Sequence, residues 1–206
     1  FEEKIESDWA PKMRNNVTGS ENISVALGIK ADLSHYPYSM VFPLKEKISF
    51  AENEFSELKI YNYSKYTGYA PKDCASLTCI LLCPCYDYWK KAKEDGSYKE
   101  KKEELAKKFI DSLSKFVPEI TQETVEVCDV ATPLTYERYC SSYQGSWMSI
   151  WKPKTSRFQY PQTIKNLEGV DFAGQRIMMP GGFPIAVYTG RRAIQLLCRD
   201  NKIEFV

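Results

Sequence analysis

The sequence predicts an α+β fold: a mostly antiparallel sheet with helices on one face, followed by a separate strand and helix. Three observations lead there. Between residues 22 and 82, short runs of alternating apolar and polar side chains are joined by polar segments, as antiparallel strands require. Residues 98–116 instead repeat apolar side chains at helical spacing. The chain then closes on a glycine-rich turn that runs into a long segment rich in apolar residues.

Taken in order, residues 1–20 are polar and irregular. Asn22 to Ile29 alternates well enough for a strand, and the aromatic stretch from Tyr36 to Val41 is positioned to pair with it. Leu58 to Tyr63 and Ser76 to Leu82 read as further strands. Tyr86 to Glu94 suits a short helix. Ser97 and Glu100 have capping-box spacing, with Ser97 at the N-cap. Behind them Tyr98, Leu105, Phe109, Leu113 and Phe116 fall on one helical face, flanked by Ala106 and Ile110. Lys and Glu fill the opposite face, and the helix ends before Pro118. Thr124 to Val130 reads as a strand. Thr132 caps a short helix with Pro133 at its first position. Gly145 to Trp151 is apolar and aromatic, and Lys152 to Pro161 is a connector with no periodicity. A strand from Gly169 to Ala173, a Gly/Pro turn and a helix from Pro184 to Cys198 complete the chain.

Composition narrows the function classes. The formal net charge is +1, so no overall field draws the chain to nucleic acid. The lysines of residues 98–116 are interleaved with glutamates, which describes a solvated helix face. The longest apolar stretch, Leu77 to Cys85, is far too short to span a bilayer. The charged start, Phe1-Glu2-Glu3-Lys4, is unlike a signal peptide and has no initiator Met, which points to a chain cut from something longer. Seven cysteines at irregular spacing do not describe a disulfide framework. Four of them lie between Cys74 and Cys85, where Cys79 and Cys83 read as small apolar strand residues, and no metal site is assigned. A reducing cytoplasm is the expected compartment. The three sequons, at Asn16, Asn22 and Asn62, are read as chance matches. The lone histidine, His35, has no orienting partner visible in the sequence and reads as a surface loop residue.

The closing unit carries the chemistry. It reads Gly169-Val170-Asp171-Phe172-Ala173-Gly174-Gln175, then Met179-Pro180-Gly181-Gly182-Phe183-Pro184-Ile185-Ala186-Val187, then Thr189-Gly190-Arg191-Arg192-Ala193. Glycines let backbone approach a ligand closely. A helix start offers unpaired N–H groups and a positive dipole end to an electron-rich group. Spacing alone favours a turn that needs glycine for shape over one that binds a ligand.

This unit resembles the terminal FAD-contacting segment of the phytoene desaturase, carotenoid isomerase and retinol saturase-like family of amine oxidase-like flavoproteins. Upstream, Asp129-Val130-Ala131-Thr132-Pro133-Leu134-Thr135-Tyr136-Glu137-Arg138-Tyr139 resembles that family's Thr-Pro-x-Thr-x-Glu-Arg run. Gln144-Gly145-Ser146-Trp147 and Val25-Ala26-Leu27-Gly28-Ile29 are similar to family segments as well. The likeness covers residues 22 to 200. It implies a substrate-binding domain over residues 1–152 and a C-terminal piece of an FAD-binding domain over 153–206. It implies that Gly174, Gln175, Gly182, Phe183, Pro184 and Ile185 line the flavin in the complete enzyme.

The family's Gly-x-Gly-x-x-Gly turn is missing from these residues, so the ADP-binding half is expected elsewhere, and FAD is not expected to be held tightly by this chain alone. The implied activity is oxidoreduction of an apolar, polyene-like substrate: desaturation, saturation or isomerisation. The cofactor carries that chemistry, and no catalytic side chain is assigned. Tyr143, Trp147, Trp151 and Phe158 are candidates to line an apolar tunnel, or equally to fill a core. Glu137 and Arg138 read as charge-paired structural residues. Arg191 and Arg192 read as partners of a surface or interdomain salt bridge. Expected partners are the missing FAD half, an apolar small molecule, a second copy of the chain through exposed apolar surface, and the periphery of a membrane. The competing reading is a non-catalytic module that binds a lipid or a protein.

Overall fold

The computed structural model describes residues 9–155, 159–164, 167–178 and 181–205. The chain divides into two compact units: residues 21–147, continuous in sequence, and a second unit drawn from residues 1–20 and 148–206. The first unit is thus an insertion between two stretches of the second.

The N-terminal segment is more regular than its composition suggests. It forms helix α1 (Trp9–Asn16) and strand β1 (Val17–Ser20). Strand β1 exists because it pairs antiparallel with a strand 130 residues away, with Val17 opposite Trp151 and Ser20 opposite Met148. Nothing in the local pattern announces a pairing of that range.

The inserted unit begins at Glu21 and builds a five-stranded antiparallel sheet. Its strands are β2 (Asn22–Ile29), β3 (Ser39–Phe50), β4 (Asn53–Asn62), β5 (Ala75–Leu82) and β6 (Val125–Ala131), in the order β3-β4-β5-β2-β6. Both edges of β2 are taken, Val25 facing Cys79 on one side and Val130 on the other. The Tyr36–Val41 segment therefore has no place beside β2. Its strand pairs with β4 instead, Met40 opposite Ile60.

Period two decides which face is buried. Ile23, Val25, Leu27 and Ile29 of β2 join Leu77, Cys79 and Leu81 of β5 in one core. Ser24, Ala26, Ser76 and Thr78, on the other face, stay half-exposed. Helices α2 (Tyr86–Glu94) and α3 (Tyr98–Leu113) cover the core face, as the apolar stripe predicts: Trp89, Leu105, Phe109, Ile110 and Leu113 are buried in the same cluster. Trp89 meets Phe50 at 5.3 Å and Tyr98 edge-on at 5.4 Å between ring centroids.

The caps differ from expectation. The Ser97 hydroxyl donates to Asp95 Oδ1 at 2.5 Å and makes no cap bond to α3, so the expected capping box there does not form. The Thr132-Pro133 turn does open a helix, α4 (Pro133–Cys140), where the Thr132 N–H donates to Thr135 Oγ1 at 3.1 Å. Helix α2 is capped from a distance: Oε2 of Glu21 accepts the N–H groups of Cys85 and Tyr86, each at 2.6 Å. A carboxylate there also complements the helix dipole. A 3-10 turn (Tyr143–Gly145) ends the unit, and strand β7 (Met148–Trp151) opens the return to the second one.

Two sequons are inaccessible. Asn22 and Asn62 are buried, and the Asn62 amide donates to the Leu33 carbonyl at 2.9 Å. Among the described residues no helix is long and apolar enough to cross a membrane.

Two outcomes test this core. Phe109→Ala should lower the stability of the inserted unit by about 3–5 kcal/mol in urea denaturation, while Val127→Ala, on the exposed side, should stay within about 0.5 kcal/mol. Burial pushes the Cys79 thiol up to about 12 from an ordinary 9.0. The unfolded chain therefore sheds this proton first as pH rises, so the Cys79 contribution is intact below pH 9.0 and is lost toward pH 12. A Cys79→Ala variant should show a shallower alkaline loss of stability over that window, read from denaturant midpoints at stepped pH.

Candidate functional site

The predicted closing strand does not form. Residues 169–173 contribute one isolated bridge, Asp171 opposite Thr163, supported by a 2.7 Å bond from the Phe172 N–H to the Gln162 carbonyl. A strand needs a neighbour along its length, and here the pairing stops after one step. The closing helix does form. Helix α5 (Phe183–Asp200) starts one residue earlier than expected, placing Pro184 second, where a missing N–H still lacks an intrahelical partner.

The turn into α5 requires glycine. Gly182 sits at φ 86°, ψ −178°, a conformation essentially reserved for glycine. A Cβ on Gly181 would stand 2.7 Å from the Gln175 carbonyl oxygen. The two glycines thus let the 174–178 turn and the helix start close on one another. With Met148, Ser149, Arg176 and Met178, the residues Gln175, Gly181 and Gly182 line a cleft of about 10 Å³, room for one water.

A polar latch holds this arrangement. Thr189 is fully buried in α5. Its hydroxyl accepts the Gly174 N–H at 3.0 Å and donates to the Ile185 carbonyl at 2.7 Å. Buried Gln162 donates to the Phe172 carbonyl at 2.9 Å and to the Thr189 carbonyl at 2.8 Å. Thr189 and Gln162 were not distinguished in the sequence. A threonine four residues after Ile185 was the available signal, because a helical hydroxyl can bond the i−4 carbonyl. Gln162 lies 27 residues from its acceptor and gave none.

The predicted flavin-contacting residues thus share one locality. Gly174 is pinned by Thr189; Gln175 and Gly182 face the cleft; Phe183 and Pro184 stand exposed at the helix start; Ile185 is half-buried. Gly182 stands at the N-cap of α5 and has no side chain with which to cap the first turn. Glycine at positions 181 and 182 keeps this stretch of backbone free of side chains, which is the feature that close approach of a ligand to the main chain requires. Met179 and Pro180 of the same motif, and Phe158 among the aromatics, lie outside the described residues.

The remaining candidates are dispersed. Tyr143 is exposed on the 3-10 turn, Trp147 lies at the exposed limit of the inserted unit, and Trp151 is half-buried in β7. Glu137 and Arg138 do not form the expected charge pair: among the described residues Glu137 accepts the Tyr86 hydroxyl at 3.0 Å and Arg138 lies over the Tyr139 ring at 5.3 Å. Arg191 sits over the Phe205 ring at 5.6 Å. Arg192 lines an open hollow of about 420 Å³ with Tyr160, Gln162, Tyr188 and Arg199, a feature absent from the sequence reading.

No protein-family model matches this chain, and no curated protein matches it.

The latch can be broken without changing shape. Thr189→Val leaves the Gly174 N–H without its acceptor, so hydrogen exchange at Gly174 should accelerate and local stability should fall by about 1–3 kcal/mol; Thr189→Ser should restore both. Gly182→Ala should cost about 1–3 kcal/mol by strain, and a neutral effect on the unfolding midpoint would contradict the backbone geometry described for it.

Proposed function

We propose that this chain is the substrate-binding and C-terminal portion of an FAD-dependent oxidoreductase that acts on an apolar, polyene-like substrate. The observation that supports it best is the start of α5. A helix start with glycine at its N-cap, two positive-φ glycines and a latched 174–178 turn bring bare main chain together where the resemblance expects a flavin edge. The insertion of residues 21–147 into the second unit is consistent with a substrate domain set into a cofactor domain.

In this reading Gly174, Gln175, Gly182, Phe183, Pro184 and Ile185 would hold the flavin edge, and the cofactor supplies the acceptor for a hydride removed from substrate. The chain's own share is positional. The start of α5 would stabilise negative charge at that edge through its first-turn N–H groups and the helix dipole. Thr189 keeps Gly174 close to the helix and so keeps the turn from drifting. Gly181 and Gly182 keep side chains out of the approach. An apolar substrate needs no acid or base from the protein for such a transfer, and none is assigned.

A second reading, a non-catalytic binding module, is favoured by a tyrosine cluster on the inserted unit. Tyr38 meets Tyr63 and Tyr66 edge-on, each at 5.7 Å, and Tyr63 stacks on Tyr69 at 5.3 Å. Tyr66 and Tyr69 are at least half-exposed, which suits contact with a protein or lipid surface.

The two readings separate on the absorption spectrum of the polypeptide together with whatever sequence precedes Phe1 in its gene. The oxidoreductase reading expects a Gly-x-Gly-x-x-Gly turn upstream and a flavin band that bleaches on reduction. It expects Gly182→Val to weaken flavin retention at least tenfold with the far-ultraviolet spectrum unchanged. A colourless protein with no such upstream turn would sink it in favour of the binding module.

A further inference from the structure

The cysteine cluster has a feature that the flavin reading does not use. Cys83 follows β5 and Cys85 precedes α2, with Pro84 between them, and both side chains are buried. The Cys83 thiol donates to Cys85 Sγ at 3.5 Å. The backbone around the pair is held firmly. The Cys83 N–H donates to the Glu21 carbonyl at 3.2 Å, and the Cys85 N–H to the Glu21 carboxylate at 2.6 Å. Beside them the Trp89 indole N–H is buried, makes no hydrogen bond of regular geometry, and favours negative charge on the Cys85 sulfur. Buried polar groups are rarely left so, and an indole N–H next to sulfur suits a sulfur that gains electron density.

One member of the pair lies at the wall of a groove. Cys85, though mostly covered, borders an open groove of about 550 Å³ lined by Glu21, Glu52, Pro84, Tyr86, Asp87 and Lys91. A structural zinc takes four ligands, and among the described residues no group of three or more potential ligands is present. The separation of 3.5 Å suits a different chemistry.

We infer that Cys83 and Cys85 form a dithiol that closes reversibly to a disulfide by exchange with a low-molecular-weight disulfide entering the groove. Cys85, on the groove, attacks one sulfur of the oxidant, forming a mixed disulfide and releasing one thiol. Cys83 then attacks the Cys85 sulfur, forming the Cys83–Cys85 bond and releasing the second thiol. The two electrons lost by the pair reduce the oxidant, and its two released thiols take up the two protons. Closure draws the sulfurs from 3.5 Å to about 2.05 Å across a single intervening residue. It joins the end of β5 to the N-cap residue of α2, Cys85. The hydrogen bond from Cys83, burial and the Glu21 charge hold the Cys85 thiol protonated far above its ordinary range, with the Trp89 N–H opposing them. Exchange is therefore slow at neutral pH and quickens as pH rises.

The test is native-state exchange on the whole chain. The folded protein is incubated with oxidised glutathione at pH 7, 8 and 9, then alkylated and mapped by mass spectrometry. The expected result is a Cys83–Cys85 link that forms faster at each higher pH and is reversed by dithiothreitol. Cys83→Ser should trap glutathione on Cys85, and Cys74→Ser should change nothing. The proposal is overturned if wild-type Cys83 and Cys85 stay free while exposed Cys128 and Cys140 become glutathionylated, or if the link appears only above the urea midpoint. The wild-type map decides the matter even if a variant fails to fold.

Discussion

Strand β2 is the constraint on which the inserted unit depends. It is the one strand that joins β5 to β6, and every second residue from Ile23 to Ile29 is fully buried. A shift of one residue would turn those four apolar side chains outward and bring Ser24, Ala26 and Gly28 into the core. Register is therefore fixed by β2, and the register of its neighbours follows. Glu21, immediately before it, is placed by the same register. Its main chain takes the Cys83 N–H and its side chain caps α2. One strand thus sets the sheet, the helix start that covers it and the position of the adjacent dithiol.

The second unit is held in a different way. Every residue of the main hydrophobic cluster lies between Ile23 and Val130. Outside the inserted unit, the buried apolar side chains among the described residues are Met13 and Ala193. Helix α5 is instead anchored by hydrogen bonds through Thr189 and Gln162. Such bonds fix geometry well and contribute modestly, about 1 kcal/mol each. That balance holds the 174–178 turn at a defined position against α5.

What the sequence revealed follows the range of the forces involved. Strand β2 and helix α2 were legible to the residue, because alternation and helical periodicity are local and the core reinforces them. The Thr132-Pro133 helix start was legible for the same reason. Misses arose wherever a distant or competing partner decided the outcome. Strand β1 depends on Val17 meeting Trp151. The Ser97 cap failed because Asp95, two residues away, takes its hydroxyl. The 169–173 strand failed because its pairing ends at Thr163. The glycine turn was visible as composition, whereas the latch that gives it a fixed shape joins residues up to 27 apart.

The exposed face of α5 carries the argument one step further. Phe183, Val187, Ile194 and Leu197 recur at helical spacing and are between 43% and 80% exposed, with Gly190 on the same stripe. Thr189 and Ala193 occupy the buried face. The helix is thus apolar along a stripe that nothing in the described chain fully covers. Burying these four side chains would contribute on the order of 6 kcal/mol at roughly 1.5 kcal/mol each, comparable to the whole stability of a small domain. A stripe of that size begins at Phe183, so an apolar cover for the side of α5 would reach the glycine turn as well. In the proposed function, that cover is the cofactor-binding half. That is why the start of α5, rather than the better-packed sheet, bears the functional reading.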